Sequence, residues 1–98
     1  MGSTPVFGDK ELEKACKLLG FIVFDNRGKG GHKLAKHPNR QPKSPRQYPH
    51  ITIQRAKEYC TNDYRKKLIK EIMDFGFSEE QVIAAIKGKR KILRRLLK

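Results

Sequence analysis

The sequence predicts an α+β fold in the order α-β-β-β-α, with a three-stranded antiparallel sheet and a C-terminal helical extension. Three observations predict it. Apolar residues recur at helical spacing near both ends of the chain, three short strand-like runs lie between them, and glycine- or proline-rich connections separate those runs. With 98 residues the chain can bury one modest core but not two. Sequential strands joined by loops favour a meander, with the helices gathered on one face.

Residues 1–8 read as a flexible lead-in. Asp9 is the expected N-cap of a first helix from Lys10 to Leu19, whose Leu12, Ala15, Cys16 and Leu19 follow at helical spacing before Gly20 ends it. Phe21 to Phe24 is too short for a helix between its flanking breaks and predicts strand one. Asp25 to Gly31 has the composition of a turn in which backbone approaches a ligand closely. His32 to His37 predicts strand two, with Leu34 on its buried face, and Pro38 ends the ladder. The segment from Pro38 to Pro49 holds four prolines, with Arg40, Lys43 and Arg46 at three-residue spacing, and predicts an exposed basic connection. His50 to Gln54 alternates and predicts strand three.

Arg55 to Asn62 fits either loop or a helical turn. A second helix is predicted from Asn62 or Asp63, on the stripe Tyr64, Leu68, Ile69, Ile72, Met73 and Phe75, with Gly76 to end it. Ser78-Glu79-Glu80-Gln81 has the form of a capping box opening a third helix that carries Val82, Ile83, Ile86, Leu93, Leu96 and Leu97. Gly88 weakens the middle of that helix by about 1 kcal/mol relative to alanine and marks a place for it to bend. The predicted organisation is a domain over residues 9–82 and a basic helical extension over residues 83–98.

Charge narrows the function classes. The net charge is +13, and its distribution is uneven: Asn26 to Lys57 carries nine basic residues and no acid, and Lys87 to Lys98 carries seven more and no acid. Segregation of this kind predicts phosphate neutralisation and counterion release on a polyanion, rather than an evenly solvated surface. Two cysteines, Cys16 and Cys60, make no disulfide framework, and no apolar signal core opens the chain, so a cytoplasmic protein is expected. No run approaches the roughly 20 apolar residues of a membrane span.

The candidate site is the glycine loop together with the start of strand two. Arg27, Gly28, Lys29, Gly30 and Gly31, with Lys33 beyond them, predict a phosphate cradle of backbone N–H groups and cations. Lys36, Arg40, Lys43, Arg46 and His50 extend the expected RNA-contacting surface, and Tyr48 is the candidate for stacking on a base. His32 opens strand two directly after the loop. An imidazole there can take the proton from a ribose 2′-hydroxyl so that this oxygen attacks the adjacent phosphorus, a route that requires no metal or other cofactor. His37, His50 and Cys60 have no recognisable zinc spacing. From the residues alone, phosphate binding or strand capping by His32 stands beside catalysis. The leucines of the last helix fit packing on the domain itself, a weak homodimer seam, or a partner.

Leu18-Leu19-Gly20-Phe21, Gly30-Gly31-His32, Lys36-His37-Pro38-Asn39, Ile51-Thr52-Ile53 and the stretch from Leu68 to Ser78 together resemble the HicA toxin family of mRNA interferases. The resemblance covers about residues 9 to 82. It implies a fold like that of double-stranded-RNA-binding domains, a metal-independent endoribonuclease (a hydrolase acting on single-stranded mRNA), His32 in the catalytic position, and a HicB-like antitoxin as partner. The family commonly carries serine and an aromatic residue where this chain has Gly31 and Ala35. The alternative is a noncatalytic RNA-binding module of the same fold.

Overall fold

The computed structural model describes residues 4–25 and 32–96. Its elements run α1 (Asp9–Leu18), β1 (Ile22–Asp25), β2 (Lys33–Lys36), β3 (Ile51–Ile53), α2 (Asn62–Met73), α3 (Glu79–Ile86) and α4 (Arg90–Leu96). This is a small α+β domain in which the three strands form an antiparallel sheet of order β1-β2-β3.

α1 starts one residue earlier than its sequence suggests. Gly8, not Asp9, is the N-cap, and the Glu11 carboxylate accepts the Gly8 N–H at 2.8 Å. Asp9 then lies in the first turn, where a negative charge favours the helix dipole. The helix buries Leu12, Ala15 and Cys16 and closes at Gly20, whose φ of +95° an L side chain rarely adopts. A Cβ at Gly20 would also come within 3.1 Å of the His37 ring.

The register pairs Val23 with Ala35 and Ala35 with Ile51, and all three belong to or pack on the core. The alternate residues Ile22, Phe24, Leu34, Lys36 and Thr52 therefore occupy the face that the helices leave open. This reverses the expectation for β2: Ala35 is the fully buried residue and Leu34 is only half-buried. A four-residue strand reading Lys-Leu-Ala-Lys offers two possible inward sets. The inward set is Lys33 and Ala35: Ala35 lies between Val23 and Ile51, and Lys33, on the same face, reaches Glu13 of α1 with its ammonium at 2.8 Å.

The N-terminal lead-in is corrected as well. Phe7 is 2% exposed and meets the Tyr59 ring edge-on at 5.7 Å, so burial worth roughly 1.5–3 kcal/mol holds this segment down. Two backbone bonds fix it, from Tyr59 N to Phe7 O and from Asp9 N to Ala56 O, each 2.9 Å. Gly8 passes so close to Lys57 that a Cβ would lie 1.9 Å from the Lys57 carbonyl oxygen.

α2 is capped by Thr61, whose hydroxyl accepts the Tyr64 N–H at 3.3 Å, and α3 by the Ser78–Gln81 capping box. The boundary expected after residue 82 falls inside α3, which buries Val82, Ala84, Ala85 and Ile86 against the domain. The single third helix is in fact two: the chain turns through Lys87–Lys89 with Gly88 at φ +72° before α4 begins. Leu93 of α4 is buried at 3% exposure, and Leu97 lies outside the described residues.

Candidate nucleic-acid interface

The open sheet face is bounded at one end by His32, which precedes β2, and carries Ile22, Phe24, Leu34, Lys36 and Thr52. Ile22 and Phe24 are about half exposed, at 50% and 48%, although both are large and apolar. The Lys36 ammonium stands over the Phe24 ring at 6.0 Å, a cation–π approach at the edge of the useful range. No acidic residue shares this row among the described residues; Asp25 alternates to the other face, beside Lys33. A surface that mixes flat apolar patches with a cation suits bases and phosphates together.

His32 is half-buried, and its Nδ1 has no hydrogen-bond partner among the described residues. Arg27, Gly28, Lys29, Gly30 and Gly31, the expected phosphate cradle, lie outside the described residues. Lys33, next to His32, is turned under the sheet. Its Nζ lies 2.8 Å from Glu13 Oε1 and 3.8 Å from Asp25 Oδ1. Glu13 also pairs with Lys17 at 3.0 Å. Hydrogen bonds from Lys33 first, then Lys17, hold the Glu13 carboxyl below its usual range, and the Glu13 contact raises the Lys33 ammonium.

His50 lies at the other end of the sheet from His32, because β3 runs antiparallel to β2 and the register, with Ala35 opposite Ile51, places His50 one step on, opposite Lys36. Its ring stacks on Tyr48 with centroids 5.6 Å apart and planes inclined by 17°. Tyr48 is 74% exposed, so the outer face of the stack is free to take a base. The pair borders a groove of about 280 Å³ whose far wall is α2, at Tyr64, Lys67 and Glu71. Burial raises the Glu71 carboxyl above its ordinary value.

The connection from β2 to β3 is exposed and basic, as its prolines and cations suggest, and it is also tied down. Arg40 donates from Nη1 to the Gly76 and Phe75 carbonyls at 3.2 and 3.4 Å and lays its guanidinium over Phe77 at 4.4 Å. Lys43 N–H donates to the Asp74 carbonyl at 2.9 Å, and Ser44 N–H donates to the Asp74 carboxylate at 2.9 Å. Gln47 donates its side-chain amide to the Glu71 carbonyl at 2.9 Å. The segment is a strap laid along the C-terminal half of α2. The side chains of Lys43 and Arg46 remain exposed along it.

His37 is structural. Its ring sits edge-on to Phe21 at 5.0 Å, Nδ1 accepts the Asn39 N–H at 3.1 Å, and Nε2 lies 3.2 Å from the Leu19 carbonyl. The two contacts together require the neutral tautomer with its proton on Nε2. Burial lowers the pKa of this imidazole. Burial also pushes the Cys16 thiol, on the inner face of α1, up to about 12.

Among the described residues, no three His, Cys, Asp or Glu side chains gather as a metal site, and no helix is long and apolar enough to cross a membrane. Sequence reasoning missed Ile22 and Phe24 as surface residues, because a β-branched and aromatic run reads as core. The available signal was topological: with helices on one face only, alternate residues of every strand must lie open. Glu13 was missed too, although its i,i+4 relation to Lys17 was visible. No protein-family model, no curated protein and no solved structure matches the chain.

Proposed function

We propose that this chain is an RNA-binding domain of the double-stranded-RNA-binding-domain-like class, and that it acts as a HicA-like, metal-independent endoribonuclease on single-stranded mRNA. The observation that carries the reading is the open sheet face, whose outward row of Ile22, Phe24, Leu34, Lys36 and Thr52 holds no acid among the described residues, with His32 at one end and the Tyr48–His50 stack, beside Glu71, at the other. In the proposed reaction His32 accepts the 2′-hydroxyl proton and O2′ bonds to phosphorus. The P–O5′ bond then breaks and the 5′-oxygen takes a proton from water, so that a cyclic phosphate and a free 5′-hydroxyl result. The cations of the glycine loop, Arg27 and Lys29, are assigned to the phosphoryl oxygens. A HicB-like antitoxin is the protein partner this reading implies.

The deciding assay is incubation with single-stranded RNA in chelator. Wild type is expected to cut it, and His32→Ala to cut it at least about 100-fold more slowly. Intact RNA under the wild-type protein rejects catalysis.

One observation favours a second reading, a noncatalytic RNA-binding module. Lys33, the described cation nearest His32 in the chain, is committed to Glu13 and so is not free to stabilise a phosphoryl charge. That reading expects salt-sensitive binding with no change in RNA length, and a small effect of His32→Ala on affinity.

A further inference from the structure

A cleft on the helical side of the molecule, away from the open sheet face, joins the second half of α1 to the turn between α3 and α4. It has a volume of about 470 Å³ and a floor that includes Leu18, Ala85 and Ile86. Four cations border it, Lys14 and Lys17 from α1, Lys87 from the turn and Arg90 from the start of α4, against one acid, Glu11. Its carboxylate accepts the Gly8 N–H at 2.8 Å, and the lining keeps an excess of three positive charges. Lys17 pairs with Glu13, whereas Lys14, Lys87 and Arg90 have no ion-pair partner among the described residues.

The fold does not need these charges where they stand. The end of α3 is already closed by backbone bonds from Gly88 N to Ala85 O at 3.1 Å and from Lys89 N to Ala84 O at 2.9 Å. α4 opens with Arg90 and Lys91 and has no acid in its first turn, an order that opposes the helix dipole. Repulsion concentrated in this way, offset within the lining by Glu11 alone, is relieved by an external anion. An apolar floor under a cationic rim matches a sugar–phosphate chain, with ribose on the floor and phosphates at the rim. Small anions need no such floor.

We propose that the α1/α3–α4 cleft is a second binding site for the RNA backbone, built from Lys14, Lys17, Lys87 and Arg90. The proposal rests on the RNA-binding reading and adds to it a footprint longer than the sheet face. The Lys17–Glu13–Lys33 series of ion pairs runs from the cleft to the residue after His32, so the intervening surface presents a neutralised carboxylate. An RNA held at the sheet end can continue along α1 into the cleft. The longest dimension of the domain is 38 Å, so a short oligonucleotide occupies one site and a longer one reaches both.

The test uses the full chain and end-labelled single-stranded 2′-O-methyl RNAs of ~8 and ~24 nucleotides, which lack the 2′-hydroxyl nucleophile and so stay intact, titrated from about 50 to about 300 mM KCl. The variant is Lys14→Gln/Lys87→Gln/Arg90→Gln, with thermal melting to verify that it is folded. Its affinity for the longer RNA is expected to fall about tenfold or more, and its salt slope to shrink by about 2, the value for three lost contacts on a single strand. The shorter RNA is expected to change by less than about threefold. A wild type that binds both RNAs and a folded variant that binds them equally well overturn the cleft and leave the RNA reading standing. A wild type that binds neither RNA overturns both. If the variant keeps RNA affinity but loses binding to poly-glutamate, the cleft belongs to an acidic protein surface and the RNA assignment is wrong.

Discussion

The strap between β2 and β3 and the turn between α3 and α4 look alike as sequence, each a cation-rich segment broken by proline or glycine. In the fold they differ. At the strap, the end of α2 leaves the Phe75 and Gly76 carbonyls and the Phe77 ring to be met, and Arg40 meets them all. At the turn, Gly88 already allows the backbone to close the end of α3, and Lys87 and Arg90 are left over. A cation is thus consumed or released according to whether local backbone satisfies the neighbouring helix end. Charge counts do not distinguish the two cases, and hydrogen-bond accounting does.

Substitutions can break this contrast. Arg40→Ala should lower stability by about 1–2 kcal/mol, through lost charge-assisted hydrogen bonds and the contact with Phe77, when measured by urea unfolding. A change below about 0.5 kcal/mol would mean that the strap is held without Arg40. Lys87→Gln, and Arg46→Gln on the exposed side of the strap, should alter stability by no more than about 0.5 kcal/mol in the same experiment. A loss at Lys87 as large as at Arg40 would erase the distinction between consumed and released charge.

The smallest expected effect concerns pH. His37 closes the strap against Gly20 as a neutral ring, and burial sets its folded pKa below the ordinary 6.5. The unfolded chain therefore binds its proton first. The stability His37 contributes is complete above pH 6.5 and declines as pH falls from there toward the lowered folded value. Glu71, raised above 4.5 by burial, works in the opposite sense, while Glu13, lowered by Lys33 and Lys17, acts only below 4.5. Melting temperatures from about pH 5 to 8 should show a flatter slope for His37→Gln than for wild type, and parallel slopes would assign the dependence elsewhere.

Local signals marked most of the elements. The helical stripe of α1 with Gly20 beyond it, the Ser78–Gln81 box, the three strands and their order all lie in stretches of a few residues. The misread features depend on distant partners. The inward side of β2 is visible only with its distant neighbours in place, Ala35 between Val23 and Ile51 and Lys33 beside Glu13, 20 residues away. Phe7 is core only because Tyr59 comes back to cover it, and Arg40 is structural only because α2 ends beside it. For the site, the exposure of Lys36, Tyr48, Lys43 and Arg46 was legible from their polar, proline-broken surroundings. The cleft was not, since it joins residues 14 and 17 to residues 87 and 90.

The passage of the chain at Gly8 has a consequence for sequence variation. Its φ of −125° is open to any residue, so conformation does not demand glycine there; the space does, with Lys57 O 1.9 Å from where a Cβ would stand. Every other amino acid must displace the 56–57 backbone and, with it, the bond from Asp9 N to Ala56 O that starts α1. Chains that dock their N-terminus in this way should hold a small aromatic-glycine signature just ahead of the first helix, Phe7-Gly8 here. That pair gives a way to recognise relatives whose charged surfaces have diverged beyond comparison.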